Sequence, residues 1–122
     1  MEPESAPERL ILDQEAALEH AAGDLMLLGE IAKIFLSDMP QRLEDLRTAV
    51  AENDRAAIER AAHKLRGALA TLGAQRSADR ALVVEKMAEQ DALDGVPAVM
   101  VELESEVELV IPEVERLTRA AA

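Results

Sequence analysis

The sequence predicts an all-α fold, an antiparallel four-helix bundle with a short additional N-terminal helix. Three observations carry that expectation. Apolar residues recur at helical spacing in four long segments joined by short connectors. One phenylalanine and no tyrosine or tryptophan leave Leu, Val, Ile, Met and Ala to build the core, which suits packed helices better than a sheet. No stretch sustains the period-two alternation of a strand, and no repeat of about 20 to 50 residues is visible. A chain of 122 residues is long enough for one domain with a single core.

Residues 1–9, MEPESAPER, hold two prolines and three glutamates and are expected to form a flexible tail, with residues 10–120 as the bundle. Asp13 can cap a short helix that carries Leu18 and is stopped by Gly23. The first long helix follows in DLMLLGEIAKIFLSDM, with Leu25, Leu28, Ile31, Ala32 and Phe35 on one side. Pro40 lacks a backbone donor, so a kink or a restart is expected there before the stripe resumes at Leu43, Leu46 and Val50. Asn53 or Asp54 can cap RAAIERAAHKLRGALATL, which Gly73 closes. The next helix, SADRALVVEKMAEQDAL, bears Leu82, Val83 and Met87 and is expected to end near Gly95. The last opens with Pro97 in its first turn and repeats Met100, Leu103, Val107, Val110, Val114 and Leu117 at steps of three and four. Pro112 is expected to bend it.

Composition narrows the function classes. A net charge of -12 repels phosphate backbones over most of the surface, so nucleic acid is not an expected partner, although a local basic patch remains open. Zero cysteines exclude disulfides and thiolate metal sites and agree with a reducing compartment. No signal-peptide pattern and no apolar run of about 18 residues is present, so the expectation is a soluble, cytoplasmic protein without a membrane span.

Within that acidic chain, AAHKLRGALATLGA sets His63 among small and cationic residues. On a helical wheel Ile58, Leu65, Leu69 and Leu72 share one arc, and that arc is centred roughly 210° from His63. The imidazole is therefore expected to face water rather than sit in the core. Arg66 and Gly67 flank it one turn on, and Ala70 follows a turn later, leaving little bulk beside the ring. Glycine in a helix interior costs on the order of 1 kcal/mol relative to alanine, so the gap implies that something large approaches. Lys64, Arg66 and Arg60 can offset the charge of a doubly negative phosphoryl group. Glu59, near the same face, either orients a ring nitrogen or is a solvated charge. His20 belongs to no motif and reads as a partly exposed helix residue.

AHKLRGALATLGA resembles the signature of histidine-containing phosphotransfer (HPt) domains, His-x-Leu-Lys-Gly followed after five residues by Gly. His63, Leu65, Gly67 and Gly73 match in type and spacing, with Arg66 in the lysine position. IFLSDMPQRLEDL resembles the family's second helix, and VVEKM its Leu-Glu stretch after the motif, so the likeness covers about residues 11 to 117. The resemblance implies a phosphoryl carrier rather than an enzyme. His63 would accept the group from a receiver-domain aspartate and pass it to another receiver, Arg66 would stand beside the phosphate, and Gly67 would give the partner room. Lys64 fills a variable position, and Ala68 replaces a frequent hydroxyl residue.

The physics is compatible. A free imidazole keeps an unprotonated, nucleophilic nitrogen near neutral pH. The sequence offers no second base, no Gly-rich phosphate loop and no metal cluster, so no cofactor is expected in this chain, and Mg²⁺ with its carboxylates would come from the receiver domain. The expected partners are response-regulator receiver domains and a hybrid histidine kinase, with the carrier itself a monomer. The segment before residue 10 and the lack of appended segments suit a free-standing relay. A di-iron bundle would need two Glu-x-x-His pairs, and the residues three before His63 and His20 are Arg60 and Ala17. The remaining alternative is a helical interaction module that uses the same groove without accepting phosphate.

Overall fold

The computed structural model describes residues 10–121, and the expected tail at 1–9 lies outside them. Its elements are α1 (Gln14–His20), α2 (Leu25–Ala51), α3 (Arg55–Thr71), α4 (Gln75–Glu89), a 3-10 turn at Leu93–Gly95 and α5 (Val96–Ala121). Three of the helices start on an aspartate. Asp13, Asp24 and Asp54 sit in extended backbone and accept from the N–H of Ala16, Leu27 and Ala57 at 3.1, 3.1 and 3.2 Å. Each such cap contributes about 1 kcal/mol by satisfying a donor the helix cannot.

The ends of the first four helices also share one chemistry. Ala22, Asn53, Gly73 and Asp91 have positive φ, and the next N–H in each case reaches back to the carbonyl of Leu18, Ala49, Leu69 or Met87. A left-handed residue with that six-to-one bond ends a helix and reverses the chain within a few residues. Long helices joined this way pack antiparallel, and α2, α3, α4 and α5 form a ring in that order, with α5 returning to α2.

The core follows the expected stripes on α3 and α5. Ile58, Leu65, Leu69 and Leu72 are buried, as are Met100, Leu103, Val107, Val110, Val114 and Leu117. On α4 the expectation fails: Val83 is exposed, Leu82 and Met87 are half-buried, and the inward face is Ser77, Ala78, Ala81, Val84, Glu85 and Ala88. Small side chains let α4 approach α3 closely, and alanine carries too little hydrophobicity to mark that face in the pattern. The helix also stops earlier than expected, at Glu89, where Asp91 turns left-handed.

Neither proline ends its helix. α2 runs unbroken through Pro40 and α5 through Pro112, so the restart expected at Pro40 does not occur. Proline inside a helix costs about 3 kcal/mol. Burial of Phe35, Met39 and Leu46 on either side, at about 1.5–3 kcal/mol per side chain, outweighs it.

Candidate functional site

His63 stands in mid-helix on α3, between the inward-facing Ala62 and Leu65, and its side chain is 64% exposed. The sequence places the ring in water, and the structure agrees. What braces it comes from α4. Glu85, whose side chain is only 9% exposed, holds Oε2 3.0 Å from His63 Nδ1 and Oε1 2.7 Å from Arg66 Nε. Arg66 Nη2 also lies 3.0 Å from Nδ1.

This triad has a definite electrostatic sense. Burial pushes the Glu85 carboxyl up, but the hydrogen bonds from Arg66 and His63 together outweigh it and hold the group below its ordinary range. Arg66 is raised in turn, chiefly by its hydrogen bond to Glu85. Glu85 is therefore a carboxylate, which can only accept, so its contact with the ring requires a proton on Nδ1. Arg66 can only donate, so its contact with the same nitrogen requires the opposite tautomer. The two cannot coexist. With its guanidinium satisfied by Glu85, Arg66 has less need of Nδ1 than the carboxylate has of the N–H, so the Nδ1–H form prevails. Nε2 then keeps its lone pair, and no partner holds that atom among the described residues.

A shallow groove beside the ring is lined by Arg42, His63, Lys64, Gly67, Ala68 and Thr71. An added Cβ at Gly67 would meet nothing within 4 Å, so the space over the site is open because the side chain is missing. The second glycine of the motif works differently. Gly73 is buried with φ +75°, its carbonyl accepts from Asp13 N at 2.8 Å, and an added Cβ would collide with the Asp13 carbonyl. One glycine thus opens the surface, while the other seats α1.

The structure brings His63, Lys64 and Gly67 together and turns Arg66 aside onto Glu85. Arg60 is exposed one turn earlier and Ala70 is half-buried, and neither lines the groove. Glu59, a candidate for orienting the ring, does not do so; Glu85, which the sequence reading did not single out, does. Glu85 was hidden because it is 22 residues away and lies on the face of α4 that the pattern misplaced. Arg42, paired with Asp38 at 3.7 Å, was missed as a contribution from α2. His20 is exposed, but its Nδ1 donates to the Thr71 carbonyl at 3.0 Å and ties α1 to the end of α3. Among the described residues no cluster of three or more His, Cys, Asp or Glu could hold a metal ion, and no helix is long and apolar enough to cross a membrane.

A helical bundle whose exposed His63 is braced at Nδ1 by the Glu85 carboxylate and stands beside a cation-lined groove left open at Gly67 has the features of a carrier domain. Comparison with known proteins gives the family. The model of the Hpt domain matches residues 30–113, and the chain belongs to that family. Its role is histidine phosphotransfer within a phosphorelay. The fold is similar to that of histidine-containing phosphotransfer protein B from Pseudomonas aeruginosa PAO1, with a TM-score of 0.83 at 23% identity over 95% of this chain and 98% of that one. It is also similar to the HPT domain of a sensor hybrid histidine kinase from Shewanella, with a TM-score of 0.80 at 23% identity over 90% and 95%. Among curated proteins no relative matches by sequence.

Proposed function

We propose that Nε2 of His63 is the phospho-acceptor, receiving the group from a receiver-domain aspartyl phosphate and passing it to a second receiver. The observation that supports this is the commitment of Nδ1 to Glu85, which leaves the exposed Nε2 as nucleophile. Its lone pair forms the N–P bond while the P–O bond to the aspartate breaks and that electron pair stays on the carboxylate. The positive charge left on the ring is shared through Nδ1–H with Glu85, and the reverse step restores the neutral imidazole. Lys64 and Arg42, on either side of the groove, offset the dianion. Arg66 contributes once it leaves Glu85, and its fork can take two phosphate oxygens.

Mg²⁺ and the in-line carboxylates belong to the receiver domain in this reading, and the chain by itself is a carrier, not an enzyme. We place it in the cytoplasm as a monomer that serves response-regulator receivers and a hybrid histidine kinase and does not bind nucleic acid. Incubation with a ³²P-labelled receiver domain tests the assignment. Label on His63 that a second receiver can remove supports it, and a stable complex without label would favour the interaction module.

A further inference from the structure

A second groove lies between α2 and α5, sharing no lining residue with the groove at His63. Its volume is about 620 Å³, and its floor is Leu36, Met39, Leu43, Val107 and Ile111. The two helices run antiparallel past it, from Arg47 beside Glu104 to Leu36 and Glu115 at the other end. At 1.5 Å per residue that is about 16 Å, the length of three helical turns.

The rim is almost wholly acceptor. Glu44, Glu104, Glu108 and Glu115 line it against the single guanidinium of Arg47. Arg47 is already engaged by Glu104 at 2.9 Å and Glu44 at 3.4 Å. Pro40 and Pro112 each remove the N–H that the carbonyl four residues earlier would normally receive. Those carbonyls belong to Leu36 and Glu108, both lining residues. An apolar floor bordered by four carboxylates calls for an occupant with an apolar stripe and cationic flanks.

From this complementarity we infer that the α2–α5 groove docks a basic amphipathic helix of a partner protein. A second copy of this chain is a poor occupant, because each carries a net charge of -12 and the same acidic rim. Such a partner would hold the carrier on the α2–α5 face, which shares no lining residue with the groove at His63, so the imidazole stays accessible to receivers. The site thus anchors the protein near its relay partners without competing for the imidazole. It does not depend on His63 being the acceptor.

The probe is a synthetic Leu/Lys peptide of about 15 residues, long enough to hold helix when bound, with leucines at helical spacing, beside a scrambled peptide of the same composition. Amide shift mapping on the whole chain should place the largest changes at Leu36, Leu43 and Ile111, and the scrambled peptide should give none there. Glu108→Lys with Glu115→Lys should weaken binding about tenfold, whereas Glu15→Lys with Glu52→Lys, the same charge change elsewhere, should change it less than about twofold. Shifts spread over the acidic surface, equal weakening in both double variants, absence of binding, or self-association of the chain through this face would each overturn the inference. Labelling of His63 from a phosphorylated receiver, followed with the peptide bound, should be unchanged, and a block would show that the groove is not independent of the transfer site.

Discussion

The Glu85 carboxylate lies 3.0 Å from Nδ1 of His63, joining a nearly buried acid on α4 to an exposed base on α3. The contact assigns the two ring nitrogens different work. One is held by Glu85, and the other is open to solvent. The small inward face of α4 makes this possible, because Ala81, Val84 and Ala88 bring the helix close enough for a glutamate to reach across.

His63→Gln should therefore fold as the parent does, since the ring is exposed and the core stripe on α3 is untouched. It should take up no label from a phosphorylated receiver. Circular dichroism checks the first statement and ³²P transfer the second, and retained labelling would move the acceptor to another residue.

Glu85→Ala removes the acceptor that holds Nδ1 and frees Arg66 to donate to that nitrogen instead. The ring proton should move to Nε2, and transfer should slow about 10- to 100-fold, the usual effect of losing a partner that orients a functional histidine. Two-bond ¹⁵N–¹H spectra of the His63 ring read the tautomer directly. An unchanged Nδ1–H population with a normal rate would leave Glu85 a purely structural role.

Much of this was legible in the chain itself. The wheel around His63, the seams of α3 and α5 and the open space at Gly67 follow from side-chain type at helical spacing, a local property. Glu85 was not legible as a partner, because its distance from the ring depends on how closely two alanine-rich helices pack. The charge of Arg66 was read correctly but not its direction, since nothing in HKLRG shows that a carboxylate on another helix has engaged it. The continuity of α2 through Pro40 was likewise settled by tertiary burial rather than by local propensity.

Gly67 can be separated from its role by size. Gly67→Ala places a methyl in open space on a helix, so it should gain about 0.5–1 kcal/mol of stability. Gly67→Arg should block transfer from a receiver domain while leaving labelling by a small donor such as phosphoramidate intact. Loss of both reactions would point to damage at the ring, and loss of neither would show that no partner surface crosses this point.

The Glu85 pair also has a pH signature. Its native carboxyl is held below the ordinary value of 4.5, so the unfolded chain takes up the proton first as pH falls. The stability contributed by the pair is then fully present above about pH 4.5 and is lost as pH drops through the lower native value. Urea unfolding of the parent and Glu85→Gln should differ at pH 7, and the difference should shrink as pH falls below 4.5. A gap that is constant across this range would mean that the carboxylate's charge contributes nothing.

Gly73 is the counterpart to Gly67, and its substitution should act in the opposite sense. A non-glycine residue at φ +75° costs about 1–2 kcal/mol in the left-handed region alone. Here the new methyl also meets the carbonyl of Asp13, whose N–H bonds to Gly73 and whose side chain caps α1. Relief requires α1 to shift, which strains the His20 contact to Thr71 at the same junction. Gly73→Ala should therefore lower stability by about 2–4 kcal/mol, the sum of backbone strain and a displaced cap. Because His63 and Glu85 lie on α3 and α4 away from that junction, labelling of the folded fraction should persist at low temperature. A variant as stable as the parent would show that α1 is not seated through this glycine, and one that stays folded but cannot be labelled would tie α1 to the transfer site itself.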